Sequence, residues 1–276
     1  MIDITGKNSE PLKKKRLYLL DMDGTIYNEN QIFDGTLEFL EEIKRRGGEY
    51  IFITNNSSKS VEDYVKKVRD MGIQADVENF YTSSQATAMY LQENYPGQVV
   101  YCMGTRSLVE ELRGEGIEVV TEPDDRATVV LIGFDTENTS EKIRNTCIML
   151  GRDVTYLATN PDLVCPVSFG YIPDCGSMSI MLKNATGKEP FFIGKPEPIM
   201  VNCVLKKQNR RPEEAVIVGD RLYTDIKTGV NAKVDTICVL SGEATMEDIR
   251  EGEVKPDYIF QSVKEIYQGL AEEDMD

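Results

Sequence analysis

The sequence of 276 residues contains no histidine, and this absence narrows the chemistry the chain can perform. Histidine is the usual proton shuttle of enzymes and a common zinc ligand, so acid–base work must fall to carboxylates, Lys, Tyr or Cys. The six cysteines are dispersed and no Cys-x-x-Cys pair occurs. We therefore exclude a zinc site and expect reduced thiols that are mostly buried.

Long apolar runs are also lacking. The longest ones have the length of a strand, far short of the ~20 residues that a bilayer-spanning helix needs. Near the N-terminus, the basic run at 13–16 is followed by only four apolar residues before Asp21, too few for the core of a signal peptide. We expect a water-soluble protein that stays in the cytoplasm.

Positive charge is scarce. The chain has 31 Lys and Arg against 47 Asp and Glu, for a formal net charge of −16. Such a chain repels nucleic acids and anionic membrane surfaces, and we expect neither as a partner. A small anionic ligand could bind only where a metal ion or a particular lysine reverses the local field.

What the sequence does contain is an alternation of strand-like apolar runs with amphipathic helical stretches. This alternation predicts an α/β fold with a mostly parallel sheet and helices on both of its faces. A helix over 35–46 is predicted to begin at the N-cap Asp34 and to bury Leu37, Leu40 and Ile43.

The alternation restarts in the middle of the chain, and this predicts two domains. Residues 1–81 and 189–276 are expected to form one core domain, with Phe191–Ile193 as one of its strands. Residues 82–188 carry their own strands and helices and are expected to form an inserted α/β domain.

Four apolar runs that we assign to the core end in reactive or phosphate-compatible residues. Parallel sheets bind ligands beyond the carboxyl ends of their strands, so the four ends should share one edge. They supply carboxylates, hydroxyl and amide donors, and one cation. Each segment alone is equally well explained as a turn, a helix lead-in or a solvated lysine, but the combination favours a site. The segments are Asp21-Met22-Asp23-Gly24-Thr25, Thr54-Asn55-Asn56, Gly194-Lys195 and Gly219-Asp220.

These segments resemble the motifs of the haloacid dehalogenase-like (HAD) superfamily. The first segment is similar to its first motif, Thr54 to the second, Lys195 to the third, and Gly219-Asp220 with Asp225 to the fourth. The stretches at 53–57, 158–162, 194–196 and 219–226 are similar to its subfamily IIA, which is NagD-like or 4-nitrophenylphosphatase-like.

The resemblance covers nearly the whole chain from Arg16 onward. It implies a Rossmann-like parallel-sheet core with an inserted α/β cap domain. Two departures stand out: Lys233 lies where the family commonly has glycine, and Ser241 lies where threonine is usual. Neither touches the chemistry, although the turn at Lys233 could be built differently.

The activity implied by the resemblance is a Mg²⁺-dependent phosphatase acting on small phosphate monoesters. Asp21 is the expected nucleophile, because a carboxylate can form an acyl phosphate and divide one difficult displacement into two. Asp23 is the expected general acid and base, first protonating the leaving oxygen and then deprotonating water.

Mg²⁺ is expected to bind the carboxylates of Asp21 and Asp220 and the backbone carbonyl of Asp23. Asp225 is expected next to the metal site, orienting a metal-bound water or Lys195, although it could also be only a helix N-terminal charge.

The phosphoryl oxygens are expected to be bound by four residues. Thr54 contributes its hydroxyl, Asn55 and Gly24 their backbone N–H groups, and Lys195 its positive charge. Gly24 is needed because its backbone must approach the phosphate closely or adopt a positive φ.

The inserted domain is expected to cover the active site and to select substrates. Asp135, Asn160 and Asp174 are its candidate specificity residues, although each is as well explained as a turn or capping residue. Phe169 or Tyr171 could stack on a base, although packing explains a single aromatic equally well.

Other functions stay open at this stage. A phosphomutase would use the same residues to transfer phosphate, and a receiver-like binding module would bind metal or phosphate without turnover. A dehalogenase does not need the carboxylate of Asp23. The expected partner is a small phosphate ester, and a homo-oligomer formed through the cap is left open.

Overall fold

The computed structural model describes residues 1–167 and 169–272. Its strands are β1 Leu17–Leu20, β2 Tyr27–Asn28, β3 Gln31–Ile32, β4 Glu49–Thr54, β5 Phe80–Thr82, β6 Val99–Met103, β7 Val119–Val120, β8 Ala127–Ile132, β9 Thr155–Ala158, β10 Val164–Val167, β11 Gly170–Pro173, β12 Phe191–Phe192, β13 Ala215–Gly219, β14 Asp235–Val239 and β15 Tyr258–Phe260. Its α-helices are α1 Thr36–Arg45, α2 Val61–Asp70, α3 Ser83–Asn94, α4 Arg106–Gly114, α5 Ser140–Leu150, α6 Cys175–Thr186, α7 Ile199–Lys207, α8 Lys227–Ala232, α9 Met246–Glu251 and α10 Val263–Ala271.

The chain forms two compact units. Unit 1 consists of Met1–Thr54, Glu62–Tyr81 and Pro196–Asp276, and unit 2 consists of Asn55–Val61 and Thr82–Lys195. These limits place 55–61 and 189–195 in unit 2, whereas the sequence analysis expected both stretches in the core domain. The limits 82 and 188 for an inserted domain therefore stay a prediction.

Unit 1 is built on a six-stranded sheet with the order β15-β14-β13-β1-β4-β5. β1 lies in the middle and pairs in parallel with β13 on one side and β4 on the other. All four residues of β1 and all five of β13 are buried. Continuous apolar runs of this kind are typical of parallel strands covered on both faces. The predicted parallel α/β core is confirmed.

Unit 2 has its own five-stranded sheet with the order β12-β9-β8-β6-β7, in which every pair is parallel. β12 corrects one prediction, because we assigned Phe191–Ile193 to the core sheet. Phe191 and Phe192 instead pair with Leu157 and Ala158 of β9. A two-residue strand has little pattern of its own, so its sheet is decided by long-range pairing.

The first helix also differs from its prediction at the start. Its N-cap is Gly35, with φ 79°, rather than Asp34, whose carboxylate pairs with Lys264. A methyl group at position 35 would lie 2.7 Å from Cβ of Lys264, so α10 leaves room only for glycine there. Phe39 is buried on the inner face of α1, whereas Leu37 is 40% exposed.

Lys233, the departure from the family pattern, ends α8 in the left-handed conformation with φ 60°. The turn therefore has the backbone that a glycine would adopt, with a lysine in its place. Of the six cysteine thiols, four are buried. Across residues 1–167 and 169–272, no helix combines the length and the apolar character needed to cross a membrane.

Candidate active site

Asp21 and Asp220 follow two neighbouring parallel strands. β1 ends at Leu20 and β13 ends at Gly219, so each aspartate is the first residue beyond its strand. The backbone N–H of Asp21 continues the ladder by donating to the carbonyl of Val218 at 2.9 Å. Both carboxylates therefore leave the sheet at the same edge, as predicted for these two strand ends.

Asp220 is buried and held by donors from two other segments. The N–H of Glu243 donates to its Oδ2 at 2.7 Å, and the hydroxyl of Thr25 lies 3.4 Å from its Oδ1. The N–H of Ala244 donates to its carbonyl at 2.9 Å. Burial, and then the negative charge of Asp225, raise the pKa of Asp220 to about 6.

Asp225 lies in a π-helical turn, Leu222–Ile226, that follows β13. Its side chain is buried, and its Oδ2 accepts the backbone N–H of Arg221 at 3.2 Å. A methyl group at position 219 would lie 2.3 Å from Cβ of Asp225, so Gly219 is what lets this carboxylate pack against the end of β13.

The carboxylates of Asp21, Asp220 and Asp225 form one group, which we call the aspartate cluster. One oxygen from each lies within 4.8 Å of the others. Three like charges this close repel one another, and a bound cation would offset the repulsion. Carboxylate oxygens are the ligands that Mg²⁺ and Ca²⁺ prefer, so the cluster fits a hard divalent cation. Asp225, expected beside the metal site, is part of this group.

Two glycines make room for Asp220. Methyl groups at positions 24 and 242 would lie 2.4 Å and 2.0 Å from its Oδ2, and Gly24 has φ 86°. Ser241 Oγ donates to the carbonyl of Gly24 at 2.7 Å. The segment 241–244 was not predicted as part of the site, and Ser241 was noted only as a departure from the family pattern, although the segment follows β14, the neighbour of β13. The other segments were found as polar residues that directly follow apolar strands, and the same search could have found this one.

Asp23 lies apart from the aspartate cluster. Its side chain is 51% exposed, and its Oδ1 lies 4.0 Å from Nζ of Lys67 on α2. The same ammonium lies 4.0 Å from the ring centroid of buried Tyr27. No local pattern pointed to Lys67, because only the packing of α2 brings it to the first motif.

Two of the predicted phosphate-binding residues, Asn55 and Lys195, meet within unit 2. Asn55 Oδ1 accepts the N–H of Lys195 at 2.7 Å, and Asn55 Nδ2 donates to the carbonyl of Lys195 at 2.9 Å. Both residues are buried. Thr54 is the last residue of β4 in unit 1, and its side chain is half-buried.

Comparison with known proteins gives consistent matches over most of the chain. The sequence family described as haloacid dehalogenase-like hydrolase matches residues 18–118, and the one described as HAD-hydrolase-like matches residues 192–266. The acid sugar phosphatase of Staphylococcus saprophyticus is 34% identical over 259 residues, covering 94% of this chain and 99% of that protein. The chain belongs to the HAD-like hydrolases.

Solved structures indicate to which branch of the HAD-like hydrolases the chain belongs. The 4-nitrophenylphosphatase of Thermotoga maritima has a TM-score of 0.89 and 37% identity, covering 94% of this chain and 99% of that one. The glycerol phosphate phosphatase of Mycobacterium tuberculosis, solved in complex with magnesium, has a TM-score of 0.87 and 28% identity, covering 97% and 79%. The chain falls into the NagD-like, 4-nitrophenylphosphatase-like branch and is a phosphatase, which confirms the predicted family and enzyme class.

Arg221 is a further residue of this HAD-like phosphatase that the sequence analysis missed. Its Nε lies 3.1 Å from Oε2 of Glu243, the residue whose N–H binds Asp220. Burial by itself lowers the pKa of Arg221, but nearby negative charges, Asp21 first, raise it above its usual value. The guanidinium therefore stays charged beside the aspartate cluster and offsets part of its negative charge.

Asp135, a candidate specificity residue, lies inside unit 2 of the phosphatase. It is buried, and its Oδ2 lies 2.9 Å from Nζ of Lys142. Its Oδ1 accepts the N–H of Glu137 at 2.9 Å.

Asn160 and Asp174 belong to a run of buried hydrogen bonds, which we call the polar chain. The N–H of Phe134 donates to Ser57 Oγ at 3.0 Å, and Ser57 Oγ lies 2.9 Å from Thr159 Oγ1. Thr159 Oγ1 donates to Asn160 Oδ1 at 2.8 Å, and Asn160 Nδ2 donates to Asp174 Oδ1 at 3.0 Å. Asp174 also caps α6.

Asp135, Asn160 and Asp174 all have protein partners in the interior of unit 2. Their roles in substrate specificity stay predictions. The two aromatic candidates differ from them. Phe169 is 81% exposed and Tyr171 is 70% exposed, beside and within the β10–β11 hairpin.

Proposed function

We propose that this chain hydrolyses small phosphate monoesters with Mg²⁺ as cofactor, through an aspartyl-phosphate formed on Asp21. The observation that carries the proposal is the aspartate cluster at the carboxyl edge of the core sheet. It combines a nucleophile candidate, at the end of β1, with a donor set suited to a hard cation.

In the first step, a carboxylate oxygen of Asp21 attacks phosphorus in line with the leaving group. The bond between phosphorus and the ester oxygen breaks, and Asp23 gives its proton to that oxygen, so a neutral alcohol leaves. The carboxyl of Asp23 is suited to this proton transfer, because its exposed side chain is accessible to the water molecule that returns the proton in the second step.

In the second step, Asp23 accepts a proton from a water molecule. The water oxygen attacks phosphorus, the bond to Asp21 breaks, and orthophosphate is released with the carboxylate restored. Hydrolysis therefore returns both aspartates to their starting protonation states.

The remaining residues bind charge. Asp21, Asp220 and the backbone carbonyl of Asp23 would hold Mg²⁺, with Asp225 as a further carboxylate of the same cluster. When bound, the ion neutralises phosphoryl oxygens and fixes their orientation.

The phosphate itself is assigned to four other groups. The hydroxyl of Thr54, the N–H groups of Asn55 and Gly24, and the ammonium of Lys195 would bind the phosphoryl oxygens. These groups stabilise the negative charge that the transferring phosphoryl group carries.

The names of the relatives support small esters as substrates. They comprise an acid sugar phosphatase, a 4-nitrophenylphosphatase and a glycerol phosphate phosphatase. We therefore assign sugar phosphates as the first substrates to test, with 4-nitrophenyl phosphate as a surrogate. Nucleoside monophosphates, which the family resemblance suggests, complete the panel. A cytoplasmic location and the absence of a nucleic-acid partner belong to the same proposal.

The test is phosphate release by the purified full chain from 4-nitrophenyl phosphate and a panel of sugar phosphates and nucleotides. We expect release with Mg²⁺, loss of release with a chelator, and recovery when excess Mg²⁺ is added. Absence of any Mg²⁺-dependent release across the panel would refute the proposal. Product analysis with a sugar monophosphate distinguishes hydrolysis from transfer within the sugar, the phosphomutase alternative.

A further inference from the structure

The side chain of Asn55 forms a closed pair of hydrogen bonds with the backbone of Lys195. Its Oδ1 accepts the N–H of Lys195 at 2.7 Å and its Nδ2 donates to the carbonyl at 2.9 Å. Asn55 and Lys195 are the first and the last residue of unit 2. One side chain therefore fixes the two ends of the unit to each other.

Asparagine is well suited to this position. Its amide offers a donor and an acceptor side by side, as a strand partner would, and satisfies both backbone groups of Lys195. Both residues are almost fully buried, with exposed fractions of 5% and 3%. A buried N–H or carbonyl left without a partner is destabilising, so the pair strongly favours one backbone position for Lys195.

The neighbouring residues hold the pair from both sides. The hydroxyl of Ser83 donates to the carbonyl of Asn55 at 2.6 Å. On the other side, a methyl group at position 194 would lie 2.6 Å from Asn55 Oδ1 and 2.6 Å from the carbonyl of Thr159. Gly194 therefore lets the amide approach Lys195.

We propose that Asn55 is a positioning residue whose side chain places Lys195 for its contact with the phosphoryl group. This inference rests on the proposed function, in which Lys195 neutralises phosphoryl charge. It adds a side-chain role to Asn55, which the sequence analysis assigned only a backbone N–H. A misplacement of about 1 Å in a charged contact can cost on the order of a hundredfold in rate.

The decisive variant is Asn55→Asp. The new carboxylate keeps an acceptor for the N–H of Lys195 but turns an oxygen toward its carbonyl, which repels it. We expect kcat/KM to fall by about tenfold to a hundredfold. Inhibition by orthophosphate should weaken by a similar factor, because Lys195 would be displaced in the phosphate complex as well.

A double-mutant cycle with Lys195→Ala separates positioning from a general loss of structure. If Asn55 acts through Lys195, adding Asn55→Asp to Lys195→Ala should lower kcat/KM less than threefold further. If the loss of kcat/KM in the double variant equals the product of the losses in the two single variants, the inference is overturned. So would an Asn55→Asp variant with unchanged kcat/KM and unchanged orthophosphate inhibition.

Asn145→Ala is a matched control. Asn145 is also buried in unit 2, and its Nδ2 donates to Glu122 at 2.8 Å. We expect this variant to lower the melting temperature while leaving the orthophosphate inhibition constant within twofold of wild type. A comparable weakening of inhibition in Asn145→Ala would show that destabilisation alone explains the effect at Asn55.

Two safeguards keep the test decisive. If Asn55→Asp is recovered unfolded, Asn55→Ser removes the bonds without adding a charge and enters the same cycle. If the wild-type chain releases no phosphate with Mg²⁺, the proposed function fails. An active wild type with multiplying losses overturns only the role of Asn55.

Discussion

The aspartate cluster of unit 1, in which Asp220 and Asp225 are buried and Asp21 is half-buried, and the buried polar chain of unit 2 are organised in opposite ways. In the polar chain, donors and acceptors alternate from one residue to the next and end at a single carboxylate. In the aspartate cluster, three carboxylates face one another. In the first arrangement each polar group has a complementary partner, whereas in the second a positive charge would offset the repulsion between the carboxylates.

The difference separates a buried network whose members satisfy one another from a group of carboxylates suited to a bound cation. Polar residues in the interior are usual when each has a complementary partner, and such networks give the core a unique arrangement. Like charges held together by packing are costly unless a ligand uses them. Asn160 and Asp174, predicted to bind substrate, belong to the first type, and Asp225, predicted to stand beside the metal, belongs to the second.

The largest expected effect comes from changing the aspartate cluster itself. Asp21→Asn removes the nucleophile and should lower Mg²⁺-dependent phosphate release by at least about a thousandfold. The melting temperature without added metal should stay the same or rise, because one of three repelling charges is gone. Substantial remaining Mg²⁺-dependent activity would contradict the assignment of the nucleophile.

Asp23→Asn tests the carboxylate that lies outside the cluster. Sugar phosphates have poor leaving groups and need the proton, so their hydrolysis should fall by about a hundredfold to ten thousandfold. The loss for 4-nitrophenyl phosphate should be much smaller, because 4-nitrophenolate leaves without a proton. Steady-state rates for both esters provide the comparison, and equal losses would count against Asp23 as the general acid.

Gly242→Ala disturbs the cluster through its surroundings. The added methyl group would lie 2.0 Å from Asp220 Oδ2, so this carboxylate must move. We expect activity to fall by about tenfold to a hundredfold and the Mg²⁺ concentration for half-maximal activity to rise. Gly114→Ala is the control, because a methyl group there has no atom within 4 Å. An unchanged Mg²⁺ requirement in Gly242→Ala would show that Asp220 does not bind the ion.

Ser57→Ala breaks the polar chain and should affect stability rather than chemistry. The substitution leaves the N–H of Phe134 without its partner in the interior. The hydroxyl of Thr159 loses its contact with Ser57 but keeps its hydrogen bond to Asn160. We expect the free energy of unfolding to fall by about 1–3 kcal/mol, measured by denaturant titration. A large change in KM at unchanged stability would instead point to a role of the polar chain in substrate binding.

Asp3→Asn is expected to have the smallest effect. Asp3 is a buried carboxylate whose pKa is lowered, whereas the pKa of buried Asp220 is raised. Burial alone would raise the pKa of Asp3, but hydrogen bonds from Thr5, Lys7 and Ile259 lower it below its usual value. A lowered folded-state pKa means that the stabilisation is present above pH ~4 and is lost as the pH falls through the folded value. The variant should therefore be less stable than wild type by about 1–2 kcal/mol at pH 7, with the gap closing toward pH 3.

The matched control for this pH series is Asp125→Asn, since the side chain of Asp125 is fully exposed. Its contact with Arg152, at 3.6 Å, is exposed to solvent, so in urea titrations at pH 7 the stability difference from wild type should be small beside that of Asp3→Asn. A gap between Asp3→Asn and wild type that persists unchanged at pH 3 would refute the charge-dependent stabilisation by Asp3.

The sequence by itself determined the parallel α/β architecture and most of the residues at the carboxyl edge of the core. Apolar runs such as Leu17–Leu20 and Ala215–Val218 predict buried strands locally, and the residues that end them are adjacent in the chain. The types of these residues also indicate the chemistry of the site, since carboxylates after two neighbouring strands suit a hard cation. These features need only short-range information.

Only the tertiary structure decided which of these groups meet. The π-helical turn brings Asp225 into the aspartate cluster, the loop after β14 brings Gly242 and Glu243 to Asp220, and β12 pairs within the sheet of unit 2. Each of these contacts joins segments through strand pairing or packing. Hydrophobic periodicity does not encode such pairing, because it reports which face of an element is buried and not what covers it.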